Sequence, residues 1–230
     1  MDNLIYFGAI KAFDRTTHKS IVIFNYQTKE IEYISKNLSF FCEDAIDKFR
    51  NLGFSFYLKS IKKEDIELFK KVKIAFSSFL DRIPAEYDKC CYTMCYTIRL
   101  QNKRPMYSFL IHHKITPILI DDKGHIHKVL CVLSLSGKRE HNKISIYNEN
   151  DAWEFDSNKL FWRKKQKITL SDREKEVIYL SAQGYNVKEV AKLLFIAPNT
   201  VKFHRKNIFE KTGTNNITEI LNYLIDNRVF

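Results

Sequence analysis

Signals for helix starts recur at short intervals near the end of this 230-residue chain. Ser171 and Glu174 have the spacing of a capping box, in which two side chains satisfy free backbone groups at a helix start. Asn186 and Glu189 repeat that spacing, and Pro198 suits the first turn of a third helix. Because the starts lie so close together, this region is predicted to fold as short helices joined by tight turns.

Glycines and apolar spacing set the limits of these helices. Gly184 ends a first helix over about 172–183, and a second, over about 187–194, follows after a two- or three-residue loop. The third ends at Gly213. A fourth carries an apolar stripe formed by Ile217, Ile220, Leu221 and Leu224. Residues 168–230 are therefore predicted to form an all-α, four-helix domain.

The third helix has a basic face that is separate from its packing face. Val201 and Ile208 lie seven residues apart, so both can pack on the two preceding helices. Lys202, Phe203 and Lys206 then point away from that contact. Lysines can neutralise phosphates and donate hydrogen bonds to guanine O6 and N7, and an aromatic edge can contact a thymine methyl group. The alternative is an ordinary solvated face, but the pattern favours contact with double-stranded DNA.

The composition agrees with a polyanionic partner. The chain has a formal net charge of +11 and a sequence pI of about 9.3, with the 45% hydrophobic and 28% charged residues of a globular protein. No stretch approaches the roughly 18 consecutive apolar residues of a spanning helix, and no basic-then-apolar targeting segment begins the sequence. Nucleic acid is favoured over an anionic membrane surface, and a cytoplasmic location without a membrane partner is predicted.

Short motifs occur in a fixed order in the C-terminal region: ITLSDREKEV at 168–177, Gly184, KEVA at 188–191 and TVKFH at 200–204. Together they resemble the LuxR/NarL-type helix-turn-helix family over about 60 of the 230 residues. The resemblance implies a DNA-binding domain whose third helix enters the major groove. The sequence departs from the family pattern at Thr212, where leucine is usual, and at Asn215-Asn216, where a basic segment is common.

The resemblance also implies roles for individual side chains. The third-helix positions of Lys202, Phe203 and Lys206 face the bases. Phosphate contacts are assigned to Lys188, Lys192, Asn199, Thr200 and Arg205. The fourth-helix stripe of Ile217, Ile220, Leu221 and Leu224 corresponds to the surface that commonly pairs two such domains. A homodimer on two-fold related half-sites is therefore predicted, with RNA polymerase as a further candidate partner.

The first part of the chain mixes strands and helices. Apolar alternation predicts strands at 20–25, 30–35, 92–100, 107–118 and 126–135, with helical material between the second and third. This order resembles the PAS fold, as do the short stretches 31–35, 63–67 and 122–124. The resemblance implies a five-stranded antiparallel sheet with helices on one face. Residues 1–136 are thus predicted to be a PAS-like sensory or dimerisation domain, in a chain of the α+β class.

Residues 137–167 are interpreted as a connecting segment. Their polar runs fit a linker, but a flexible linker has no need of four large aromatic residues. These are Trp153, Phe155, Phe161 and Trp162. We expect them to dock on one of the two domains.

A candidate ligand pocket follows from strand alternation. Phe109, Ile111 and His113 fall on one side of their strand, and Cys131 on the last strand completes the predicted set. His113 is either a ligand-binding residue or a hydrogen-bonded core histidine. The signal would be a small molecule or a protein.

The chain offers little for a metal or a cofactor. Its five cysteines are an odd number, which suits a reducing compartment. On one strand Cys91 and Cys95 would lie about 13 Å apart, beyond the roughly 7 Å limit for a disulfide. The sequence has neither a phosphate-binding glycine loop nor a flavin-adduct cysteine motif. No metal and no cofactor are predicted.

The function that these patterns favour is a sequence-specific transcription regulator without enzymatic activity. One alternative makes the first domain a small α+β enzyme, with His113 as general base and the C-terminal domain as a targeting module. No second catalytic group can be paired with His113 from the sequence. A sigma-factor-like protein is the other alternative, and it requires a helical domain where this chain is strand-rich.

Overall fold

The computed structural model describes residues 2–37, 55, 57–84, 86–101, 108–136, 143–166 and 168–226. They divide into two compact units, Met1–Lys165 and Gln166–Phe230. Each unit has an apolar core of its own. Within the described ranges, no helix combines the length and the apolar character needed to cross a membrane.

The first unit is built on one antiparallel sheet. In its described residues the helices are α1 (Asp2–Thr16) and α2 (Ile66–Leu80), with 3₁₀ turns at Lys63–Asp65 and Lys89–Cys91. Its strands are β1 (Ser20–Asn25), β2 (Ile31–Ile34), β3 (Thr93–Gln101), β4 (Ser108–Ile120), β5 (Ile126–Leu135), β6 (Ile144–Tyr147), β7 (Ala152–Asp156) and β8 (Phe161–Lys164). The strand order is β2-β1-β5-β4-β3-β6-β7-β8, and every neighbouring pair is antiparallel.

The sheet is wider than the sequence pattern suggests. The five predicted strands correspond to β1 to β5, each within two residues at either end. The prediction of five strands is wrong because β6 pairs with the far edge of β3, and β7 and β8 continue from it. Ile144 and Ile146 on β6 are fully buried, so this extension carries part of the core. The segment 137–167 is corrected accordingly: its residues 144–164 contain three strands of the first unit.

Helix α2 lies on one face of this sheet. Seven of its side chains are buried: Leu68, Phe69, Val72, Ala75, Phe76, Phe79 and Leu80. The ring of Phe79 has its centroid 5.1 Å from that of Trp153 and 5.0 Å from that of Trp162. The indole Nε1–H of Trp162 also donates to the carbonyl of Ala75 at 3.3 Å. The expected docking of the aromatic segment is therefore confirmed for Trp153 and Trp162.

An ion pair ties the start of α2 to β3. Asp65 is 1% exposed, and its Oδ2 accepts from the backbone N–H of Arg99 at 2.6 Å. The guanidinium Nη2 of Arg99 lies 2.5 Å from Oδ1 of the same carboxylate. Because both carboxylate oxygens have partners, the buried charge is compensated and sets the position of α2 along the sheet.

The second unit consists of helices α3 (Asp172–Ala182), α4 (Val187–Leu193), α5 (Pro198–Thr212) and α6 (Ile217–Asp226) in its described residues. Both predicted capping boxes are present, at the starts of α3 and α4. Gly213 ends α5 in the left-handed conformation, with φ of 65°. The side-chain Oδ1 of Asn216 accepts from the backbone N–H of Glu219 at 2.9 Å, so the asparagine that departs from the family pattern caps α6.

Candidate nucleic-acid interface

Helices α4 and α5 form a helix-turn-helix with a short turn. The turn begins where the backbone N–H of Phe195 donates to the carbonyl of Lys192 at 3.3 Å. The backbone N–H of Ile196 then donates to the carbonyl of Ala191 at 3.0 Å. Pro198 opens α5 immediately afterwards. These local bonds determine the angle at which α5 leaves α4.

The inward face of α5 is narrow. Val201 and Ile208 are fully buried, and Thr212 is 7% exposed. The Oγ1–H of Thr212 donates to the carbonyl of Ile208 at 2.7 Å, so the hydroxyl that replaces the family's usual leucine is satisfied within the helix. These three residues hold α5 against the other helices and determine which of its side chains face outwards.

The outward face of α5 presents the three predicted base-contacting residues. Lys202, Phe203 and Lys206 are all exposed. The Nζ of Lys206 lies 3.7 Å from Oε1 of Glu210, and both side chains are largely solvated. Such an exposed ion pair contributes little to the stability of the fold, so Lys206 can exchange it for a contact with DNA. The exposure that base contact requires is present, whereas the contact itself stays a prediction.

The predicted phosphate-binding residues lie on α4 and on the first half of α5. Lys188 and Lys192 are four residues apart and exposed on one face of α4. Asn199 is exposed, whereas Thr200 and Arg205 are half-buried. None of the ion pairs between described residues includes Lys188 or Lys192. Both ammonium groups therefore remain available to an anion.

The N-terminus of α5 is also suited to a phosphate. Its N-cap, Ala197, has no side-chain acceptor for the free backbone N–H groups, and the first turn contains no acidic residue. The partial positive charge of a helix start is therefore left uncompensated by the protein's own side chains.

Lys211 has a structural contact that the sequence pattern does not predict. Its Nζ donates to Oε2 of Glu174 at 2.8 Å, joining the end of α5 to the start of α3. Burial alone would raise the pKa of Glu174, but the hydrogen bonds from Lys211 and from the backbone of Ser171 outweigh it and lower the pKa. The pairing compensates the charge of Lys211 within the unit, although its side chain is still 42% exposed. Only the fold could reveal it, since the two residues lie 37 positions apart.

The predicted dimer stripe on α6 is divided by the structure. Ile220 and Leu224 are fully buried in the core of their own unit. They are therefore corrected from interface to core residues, because a helix of this small domain must bury one apolar stripe to stay folded. Ile217 and Leu221 are half-buried and keep part of their apolar surface accessible.

The four predicted pocket residues share one face of the sheet in the first unit. Ile111 and His113 are buried, and Phe109 and Cys131 are partly buried against the same core. The Nδ1–H of His113 donates to the carbonyl of Ile111 at 3.0 Å, and Nε2 accepts a hydrogen bond from the hydroxyl of Tyr57.

Two tyrosines outside the predicted pocket set, Tyr57 and Tyr96, contact His113. Its ring stacks on that of Tyr96, with centroids 4.6 Å apart, and Tyr57 contacts its Nε2. Burial is the main cause that lowers the pKa of His113 to about 3. The imidazole is thus neutral, hydrogen-bonded at both nitrogens and 1% exposed, which argues against its use as a general base. Tyr96 lies on the same face of its strand as Ile98, so alternation could have placed it on the core side. No local sequence signal indicates that Tyr57 contacts His113.

An open cavity of about 440 Å³ lies elsewhere in the first unit, between the start of α2 and the β7–β8 turn. It is lined by Glu64, Leu68, Lys71, Phe155, Ser157 and Asn158. None of the predicted pocket residues lines it. Its lining combines two apolar side chains, Leu68 and Phe155, with polar and charged ones of both signs.

Cys90, Cys91, Cys95 and Cys131 form no disulfide bond among the described residues, and Cys42 lies outside those residues. In the part of the chain that the structure describes, no three or more His, Cys, Asp or Glu residues are arranged to hold a metal ion.

Comparison with known proteins identifies the second unit. Residues 168–224 match the family described as bacterial regulatory proteins, luxR family. The second unit contains a LuxR-type helix-turn-helix domain. The transcriptional regulatory protein UhpA of Salmonella typhimurium is 42% identical over 57 residues, which cover 25% of this chain and 29% of UhpA. The oxygen regulatory protein NreC of Staphylococcus aureus is 37% identical over 60 residues, covering 26% of this chain and 28% of NreC.

The chain therefore spans less than a third of the length of these curated relatives, and the shared part is the LuxR-type domain. The match to a crystal structure of the phage VqmA–DPO complex covers 97% of this chain and 88% of the VqmA chain, at 12% identity and a TM-score of 0.35. A likeness at that level transfers neither fold nor ligand to the first unit.

Proposed function

We propose that this protein is a sequence-specific, DNA-binding transcription regulator. The observation that carries the proposal is the outward face of α5, which presents Lys202, Phe203 and Lys206 from a LuxR-type helix-turn-helix domain. In proteins with this motif, the second helix of the pair enters the major groove while the first crosses the backbone. We therefore assign base contacts to these three residues and phosphate contacts to the residues around them.

The phosphate contacts surround the base-reading face on two sides. Lys188 and Lys192 would bind one strand from α4, and Asn199, Thr200 and Arg205 would bind from α5. Contacts of this kind fix the orientation of the protein on the duplex and carry no sequence information themselves. Each neutralised phosphate releases counterions, so affinity should fall as salt concentration rises.

We infer that two copies bind two-fold related half-sites through α6. Ile217 and Leu221 are the half-buried members of its apolar stripe and would form the contact. Leu221→Glu should then leave the domain folded but reduce the complex from two copies per operator to one. Sedimentation of the DNA complex measures this stoichiometry, and an unchanged value would assign the pairing to another surface.

We further infer that the first unit is a PAS-like sensory or dimerisation domain. Support comes from strands β1 to β5, which lie side by side in one antiparallel sheet with α2 packed on one face. The cavity lined by Leu68, Phe155 and Ser157 has a volume of about 440 Å³, which falls within the range of small-molecule sites. Ser157→Trp, which would add a large ring to this lining, should abolish any ligand-induced rise in the melting temperature of the first unit.

Selection of bound sites from random duplex DNA tests the central proposal and identifies the operator. The full chain should enrich a short sequence with two-fold symmetry, and its binding should weaken steeply between low and physiological salt. A folded chain that retains no duplex at low salt would contradict the proposal. Retention without enrichment would contradict sequence specificity alone.

A further inference from the structure

The turn between α4 and α5 contains an aromatic residue in an unusual backbone conformation. Phe195 has a φ of 54°, in the left-handed region that bulky side chains rarely occupy. Elsewhere in the second unit, the left-handed positions at Gly184 and Gly213 are glycines, which adopt this conformation without steric cost. Asparagine also tolerates it better than phenylalanine does. The backbone conformation at this position is therefore unfavourable for phenylalanine.

The side chain gains no packing within its unit that would offset this cost. Phe195 is 95% exposed, the largest value among the exposed large hydrophobic residues that the structure describes. It takes no part in the apolar core, whereas the adjacent Leu194 and Ile196 pack against it. A side chain that is both strained and solvated in the free protein is better explained by a contact made in a complex.

The turn holds the backbone on both sides of this ring in a defined position. Arg173 on α3 donates from Nη2 to the carbonyl of Leu194 at 2.8 Å, directly before the ring. Directly after it, the backbone N–H of Ile196 donates to Ala191 at 3.0 Å. Because both neighbours are bonded to helices, the backbone that carries the ring is fixed, and a contact requires ordering of the side chain alone.

The position of the turn indicates what the ring meets. In a helix-turn-helix the first helix crosses the DNA backbone and the second enters the groove, so the residues joining them lie beside a sugar–phosphate strand. Lys192 precedes Phe195 by three residues, and Asn199 follows it by four, and both are exposed. These polar groups suit phosphates, while the apolar part of the same strand is deoxyribose.

We propose that the ring of Phe195 packs against a deoxyribose of the DNA strand whose phosphates are contacted by Lys192 and Asn199. This inference rests on the proposed DNA-binding function and adds an apolar, sequence-independent contact to it. Phe195 is thus a positioning residue that helps to set the depth at which α5 enters the groove.

The test compares Phe195→Asn with the unchanged chain on the selected operator and on a scrambled duplex. Asparagine tolerates the left-handed backbone but lacks the ring. We expect affinity to fall by about tenfold on both duplexes, the effect of losing one buried apolar contact. The slope of affinity against salt should not change, since no charge is removed. The melting temperature should be equal or higher.

Two variants serve as controls. Phe195→Leu keeps an apolar side chain and should retain part of the affinity. Tyr179→Asn removes another exposed aromatic side chain, 64% exposed on α3, and should leave DNA binding unchanged.

The possible results separate this inference from the proposed function. If the unchanged chain binds no duplex, both fail together. If it binds and Phe195→Asn binds equally well, the sugar contact is overturned while the proposed function stands. A loss confined to the operator would indicate base contact and overturn the inference. A lowered melting temperature, with affinity restored on cooling, would assign the ring a structural role and overturn it as well.

Discussion

Helices α2 and α5 have the same length and a similar basic character, but they are held in different ways. Each has 15 residues. Seven side chains of α2 are buried, whereas only Val201, Ile208 and Thr212 are buried on α5. Helix α2 therefore packs on its sheet through a broad apolar face. Helix α5 packs on the other helices of its unit through a narrow one.

This difference separates a structural helix from a helix suited to recognition. Both carry several cations, so positive charge alone does not identify the DNA-binding element. Lys70 on α2, for example, pairs with Glu67 at 2.6 Å on an exposed surface. What distinguishes α5 is that a narrow buried stripe leaves most of its circumference free for a partner. Substitutions on the two helices should therefore differ in their effects on stability and on DNA affinity.

Phe79→Ala should cost the first unit about 3 to 5 kcal/mol of unfolding free energy, because it removes a buried ring from the α2 contact. Both tryptophans of the chain, Trp153 and Trp162, lie beside this ring, so their fluorescence during urea denaturation reports the first unit. The DNA affinity of the folded protein should be unchanged. A parallel loss of DNA affinity in the folded protein would show that α2 is not a purely structural helix.

Ile208→Ala should cost the second unit about 2 to 5 kcal/mol. Since α5 has only three buried residues, this change should also abolish DNA binding at temperatures where the domain unfolds. Circular dichroism of the helices measures the transition, while the unfolding midpoint reported by the tryptophans of the first unit should be unchanged. Glu210→Ala, on the exposed side of α5, is the control and should leave stability within the usual range of surface changes.

Lys206→Ala should weaken binding to the preferred site by about 1 to 3 kcal/mol and relax the preference at one base position. Lys192→Ala should instead weaken all sequences similarly and reduce the salt slope by about one charge. Both variants are measured on operator and scrambled duplexes across a salt series. If their effects were exchanged, α4 rather than α5 would be the helix that reads the bases.

Acid should destabilise the second unit through Glu174. Its pKa is lowered in the folded state, so its contribution is present above the ordinary glutamate pKa of about 4.3 and is lost as the pH falls. Urea denaturation followed by circular dichroism at pH 7 and at pH 3 measures the loss. Glu174→Gln should be less stable at pH 7 and should show a smaller decrease on acidification. An unchanged decrease would assign the acid sensitivity to other carboxylates.

Much of the second unit was predictable because its signals are local. The caps at Ser171 and Asn186 and the end at Gly213 depend on residues within a few positions of each other. The outward direction of Lys202 and Lys206 follows from helical geometry once Val201 and Ile208 are taken as inward. Alternation likewise located strands β1 to β5, because it marks the two faces of each strand independently of its partners.

The remaining features depend on residues that are distant in the sequence. A strand pattern does not specify which sheet edge it joins, so the pairing of Ser145 with Cys95 on β3 was not predictable from alternation. The same holds for Tyr57 and His113, which meet across 56 residues. An apolar stripe requires a helix to bury one face but does not specify the surface that covers it. Packing within the unit buried Ile220 and Leu224 and left part of Leu221 accessible, because the core could enclose only one side of α6.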